Sequence, residues 1–195
     1  LAFEIILKFF PQKITSIGCR KQFKSNYLPS KNRPTQSEIN TWIKEEDTAA
    51  KKVFAVWFGG NAIVATLYFT EILNESEMVL LSLFYFVGDL ICLLFFCPFQ
   101  SLIMKNRCCV PCRIFNWDSL MFCTPLIYIP GFFSWSLVLI ALILVVWWEF
   151  AYRKYPQRFF EGSNENLKCE HCNESLCKMK KPTRVVLREL LRGKP

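Results

Sequence analysis

Val53-Phe-Ala-Val-Trp-Phe-Gly-Gly-Asn-Ala-Ile-Val-Ala-Thr-Leu-Tyr-Phe-Thr-Glu-Ile-Leu73 carries one charge, Glu71, close to its end. At ~1.5 Å per residue these 21 residues make a helix as long as the ~30 Å hydrocarbon core of a bilayer. Upstream, Thr35-x-x-Glu38 has the spacing of a capping box, so the pattern predicts a helix from about Gln36 through Lys51-Lys52 into the membrane. Gly59-Gly60 leaves room for another helix to approach closely.

Two further blocks read as spans. Met78 to Met104 is interrupted among charged residues only by Asp89, and Pro98 is expected to kink or end that helix near Cys97. Phe132 to Trp148 is uncharged, Trp147-Trp148 marks an interface, and Pro156 stops any continuation. The block between them, Arg113 to Gly131, carries Asp118, Pro125 and Pro130 and could cross or turn back. Flanking charge decides. Glu71 to Glu77 has three carboxylates and no Lys or Arg, whereas Lys105, Arg107 and Arg113 crowd the next loop. Pro130 to Ser136 is uncharged, and the tail from Tyr152 has eleven Lys or Arg against five Glu. A re-entrant third block would leave that basic tail outside, so the third block is expected to be a short, kinked span.

The expected fold is therefore all-α: a polytopic membrane protein of four transmembrane helices with a cytoplasmic, cysteine-rich, metal-binding loop and tail. Residues 1–52 form a basic cytoplasmic segment with a helix leading into the membrane, 53–151 the four-helix domain and 152–195 a basic tail. Both termini are expected in the cytoplasm, in a cell inner membrane. Nineteen Phe and six Trp in 195 residues exceed what a soluble domain needs. The net charge of +8 sits outside the apolar blocks, which suits anionic headgroups. No aromatic-and-basic recognition motif accompanies it, so nucleic acid is not an expected partner. Leu1 to Phe10 lacks an initiator Met and a signal-peptide pattern, and reads either as a trimmed terminus or as a short interfacial helix. Arg184 to Arg192 has the spacing of an amphipathic, surface-lying helix.

Two cysteine clusters carry the chemistry: Cys108-Cys109-x-x-Cys112, and Cys169-x-x-Cys172-x-x-x-x-Cys177. A Cys-x-x-Cys pair lets two thiolates grip one metal from a single turn. Cys109, Cys112, Cys169 and Cys172 supply the four ligands of a tetrahedral zinc site or an iron–sulfur cluster. Cys108 and Cys177 are extra donors, alternative ligands or cluster-exchange positions. Nearby Lys105, Arg107, Arg113, Lys168 and Lys178 would lower thiolate pKa values. His171, the only histidine, reads as a solvated turn residue rather than a ligand; Cys92, Cys97 and Cys123 read as ordinary buried thiols. Zinc implies a scaffold or assembly role, and iron–sulfur implies electron transfer to a membrane partner or quinone.

The run Cys108 to Asp118 followed by Thr124-Pro125, with the tail motif ending Cys177-Lys178, resembles uncharacterised bacterial four-helix integral membrane proteins over about Ala50 to Lys181. That resemblance implies the helix count and carries no activity. In helix number and paired thiols the chain also resembles four-helix oxidoreductases that pass electrons between thiols and quinone. It departs from them in placing one pair in the second loop and one in the tail, and in facing both toward the basic side. Thiol–disulfide exchange is thus an alternative function, and a small transporter using Asp89 is another. Lipid, a membrane protein or a second copy of the chain are the expected partners. One histidine and no phosphate-cradling glycine loop argue against a hydrolase or a nucleotide-driven enzyme. Within the bilayer, Asn61 is a candidate partner for Asp89, and Glu149 has the i,i+4 spacing for a pair with Arg153.

Overall fold

The cap at Thr35 forms as its spacing predicts: the Glu38 carboxylate accepts from the Thr35 N–H at 2.7 Å. The helix it starts, α2 (Gln36–Phe69), runs 34 residues. This structure is a computed structural model and describes residues 1–10, 19–106 and 112–168, with the side chains of 19 and 20 outside that description. The regular elements among the described residues are all helical, without a strand. A short α1 (Ala2–Leu7) precedes α2, and α3 (Glu75–Leu94), α4 (Asp118–Cys123) and α5 (Phe132–Lys154) follow it. Asn74 caps α3 reciprocally, accepting from the Glu77 N–H at 3.1 Å while its own N–H reaches Glu77 Oε2 at 2.8 Å.

Helices α2, α3 and α5 are long and apolar enough to cross a membrane. Their apolar side chains point outward: Phe58 is 64%, Phe84 69% and Phe150 62% exposed. The polar residues Asn61, Ser82, Asp118 and Ser119 are buried instead. An interior more polar than the surface is unstable in water and suits lipid.

Helix α3 ends at Leu94, earlier than the Pro98 signal suggested, and Phe99–Ile103 forms a separate π turn. The reason is local. Pro98 has no N–H to donate to the Leu94 carbonyl, so helical bonding fails one turn before the ring itself.

The third apolar block is not a long helix. It is a run of 3-10 turn (Arg113–Trp117), α4, and a second 3-10 turn (Thr124–Tyr128). Pro125 accounts for the last change of register, and the deficit it creates is met from outside. In 3-10 register the Phe122 carbonyl would accept from residue 125, which has no N–H; the buried Ser82 hydroxyl of α3 donates to it at 2.7 Å. Phe86 packs its ring edge-on to Phe122 at 5.4 Å, closing the same contact.

Ile5 of α1 is fully buried in the core formed by Phe122, Cys123, Ala141 and Leu144. At the C-terminal end of α5, residues 21–30 and 156–168 fold together, with Phe23 and Phe159 joining the same core. Ser30 N–H donates to Ser163 O at 3.0 Å, and Glu165 N–H to Leu28 O at 2.8 Å. Asn164 locks them: its Oδ1 accepts from the N–H groups of Leu28 and Asn166, and its Nδ2 donates to the carbonyls of Lys21 and Arg158.

Candidate functional site

Arg113 opens the short segment and is the node around which that end of the bundle is built. Its side chain is 8% exposed, pairs with Asp47 of α2, and donates to Glu149 Oε2 of α5 at 2.7 Å. Trp117, one helical turn on, donates its indole N–H to Glu149 Oε1 at 2.9 Å. The expected Glu149–Arg153 pair is thus replaced by a tertiary one. The guanidinium also lies 4.3 Å from the Tyr152 ring centroid. Tyr152 in turn packs against Trp42 at 5.8 Å and Phe159 at 5.4 Å. At its far end the segment delivers Tyr128 to Tyr68 and Phe69, each ring 5.9 Å away.

Cys112 immediately precedes Arg113, and Arg113 and Phe159 both pack on Tyr152, with the Asn164 lock following Phe159 in the chain. Of the six proposed ligands only Cys112 falls among the described residues. Cys108, Cys109, Cys169, Cys172 and Cys177 lie outside them, as does His171. Among the described residues no three His, Cys, Asp or Glu side chains converge as a metal site. Cys112 is 3% exposed and packs with Ala50, Val53, Met104 and Ile114.

Cys112 also borders a cavity of about 210 Å³ that it shares with Cys92, Cys97, Asp89, Asp118 and Gln100. The Gln100 N–H donates to Cys97 Sγ at 3.4 Å. Cys123 is the ordinary buried thiol expected of it, whereas Cys92 and Cys97 are only half-buried because the cavity opens beside them.

Beside the cavity lies a buried charge cluster. Lys8 reaches in from the end of α1, donating to Asp118 Oδ2 at 2.5 Å and Ser119 Oγ at 3.1 Å, with Glu4 at 3.7 Å. Burial alone would lower the Lys8 pKa, but Asp118, then Glu4 and Asp89, outweigh it and hold the ammonium above its ordinary value. Asp118 Oδ1 turns to the N–H and hydroxyl of Ser119. Asp89 Oδ2 has no hydrogen-bond partner among the described residues. Its expected partner Asn61 bonds elsewhere, donating Nδ2 to the Trp57 carbonyl one turn back at 2.9 Å and leaving its own Oδ1 without a described donor.

No protein family, curated protein or solved structure matches this chain.

Lys8 escapes a reading based on motifs, although a lone cation inside Ile5-Ile-Leu-Lys-Phe-Phe10 is a signal that it needs a buried partner. Arg113 reads from the sequence only as loop charge, and nothing near it in the chain announces the two carboxylates it gathers.

Proposed function

We propose that the chain is a four-crossing membrane protein whose basic end carries a thiolate metal centre joining the second loop to the tail. The observation behind this reading is the run from Arg113 to Tyr128. One end meets Asp47 and the other meets Phe69, so the run keeps pace with the bilayer-length part of α2. A 3-10 helix rises ~2.0 Å per residue against ~1.5 Å for an α-helix, so ten of its sixteen residues gain reach from the change of register. The total is roughly 29 Å, a membrane thickness from a segment too short to cross as pure α-helix.

Four crossings return the tail to the side of the second loop, and the positive residues make that side cytoplasmic. There Cys109, Cys112, Cys169 and Cys172 supply the ligands of zinc or of an iron–sulfur cluster, with Cys108 and Cys177 beside them. Cys112 stands immediately before Arg113, at the point where the second loop returns to the bundle, and borders the cavity beside Cys97. A colourless zinc centre makes the protein a scaffold or assembly factor. A coloured cluster makes it an electron carrier to a membrane partner or quinone.

Metal analysis with an absorption spectrum, on reduced protein purified without oxygen, tests this. We expect about one equivalent of zinc, or iron with labile sulfide, lost in Cys109→Ser and Cys172→Ser. Less than about a quarter equivalent in the unsubstituted protein ends the proposal.

A second reading has its own support. Asp89 borders a cavity within the bundle and has an oxygen without a described partner, as a cation or proton pathway requires. Flux into vesicles containing the protein, abolished by Asp89→Asn, is its test.

A further inference from the structure

We propose that an anionic phospholipid occupies a cleft of about 590 Å³ between α2 and α5, with its phosphate on Lys51 and Arg153. The cleft exists because the short segment 113–128 forms its floor and holds the two long helices apart beyond the Trp42–Tyr152 contact. Its walls are apolar, from Phe54 and Phe58 on one side and Leu142 and Val145 on the other.

Charge selects the occupant. Lys51 stands four residues after Asp47, and Arg153 four after Glu149, the spacing at which each would find its counter-ion on its own helix. Arg113 takes both carboxylates from beneath. Among the described residues neither Lys51 nor Arg153 then has an ion-pair partner, and both line the cleft while remaining exposed. One buried arginine thereby leaves Lys51 and Arg153 without described counter-ions, and the cleft lining carries a net positive charge, Lys51, Arg113 and Arg153 against Asp47 and Glu149. A phosphodiester offers two oxygens for the arginine fork and a point contact for the lysine ammonium.

Depth selects it too. From Lys51 to Asn61, which lines the inner part of the cleft, α2 advances ten residues, ~15 Å, or half of a ~30 Å hydrocarbon core. A groove charged at its mouth, apolar along its walls and one leaflet deep matches a single phospholipid of the basic-side leaflet. This inference does not depend on the metal centre, and a protein without metal can still show it.

Native mass spectrometry of the full chain, delipidated and offered equal phosphatidylglycerol and phosphatidylcholine, reads the preference directly. We expect the singly bound adduct to favour phosphatidylglycerol by roughly ten-fold or more, since two cations contribute. Lys51→Gln with Arg153→Gln should cut this below about three-fold. The charge-matched pair Lys52→Gln with Lys154→Gln, one position further along each helix and outside the cleft lining, should keep it. Val145→Trp, which fills the cleft and leaves both cations, should remove the tight adduct with either lipid. No preference in the unsubstituted chain, equal loss in both double variants, or an undiminished adduct in Val145→Trp overturns the proposal in favour of non-specific surface charge.

Discussion

Arg113 and Glu149, 36 residues apart, form a hydrogen-bonded ion pair at 2.7 Å that joins the short segment to α5. Glu149 is 23% exposed, and Asp47, the other carboxylate on Arg113, is 43% exposed, so the arginine depends chiefly on Glu149 for a shielded counter-charge. Glu149→Leu should therefore cost roughly 3 kcal/mol, because it leaves a buried guanidinium underpaired. Arg113→Leu combined with Glu149→Leu should recover at least about 1 kcal/mol of the summed single losses. Thermal unfolding in detergent gives all three values, and strict additivity would show that the pair is not coupled.

Ser82→Ala should destabilise by about 1 kcal/mol, near the usual value for a polar contact between membrane helices. The loss arises because the Phe122 carbonyl is left without a donor beside Pro125. Ser136→Ala is the matched control, since Ser136 only bonds back to Phe132 on its own exposed turn. Equal melting temperatures for the two variants would mean that α3 is held to α4 by packing alone.

How much of this was legible in advance depends on whether the deciding interaction is local. The Thr35 and Asn74 helix starts, and the apolar runs of α2, α3 and α5, follow from spacing within a few residues. The form of the third block does not: Pro125 signals a break, but only the Ser82 hydroxyl from 40 residues away makes a 3-10 continuation tolerable. The same limit explains Glu149 and Asn61. Each had a reasonable partner by spacing or depth, and each is used differently, by Arg113 in one case and by the Trp57 carbonyl in the other. For the cysteines, pattern reading names a ligand set, and the structure describes only Cys112 of it.

Asn164 is fully buried and uses its side-chain oxygen twice and its nitrogen twice. Asn164→Leu strands two N–H groups and two carbonyls, at a cost of about 3 kcal/mol or more. Asn164→Asp keeps the acceptor and loses both donations, so its stability should fall between those of the unsubstituted protein and the leucine variant. Amide exchange at Leu28 and Asn166 should accelerate in the leucine variant while α3 amides stay protected. If those two amides remain slow, the lock is elsewhere.

Lys8 makes stability depend on pH in a direction that can be worked out. Its folded pKa is raised above the ordinary lysine value of 10.5. A raised pKa means the folded state binds the proton more tightly, so the contribution is complete below the unfolded value and is lost as pH rises through the folded one. Lys8→Met removes that contribution and leaves Asp118, 7% exposed, without its cation. The variant should be less stable than the unsubstituted protein at about pH 8, and the gap should narrow above about pH 10.5, where Lys8 loses its proton in the unfolded chain before it does in the folded one. Other lysines and tyrosines titrate equally in both proteins, so the difference between their melting curves isolates Lys8. A gap that stays constant to about pH 12 would place the Lys8 ammonium outside the charge cluster.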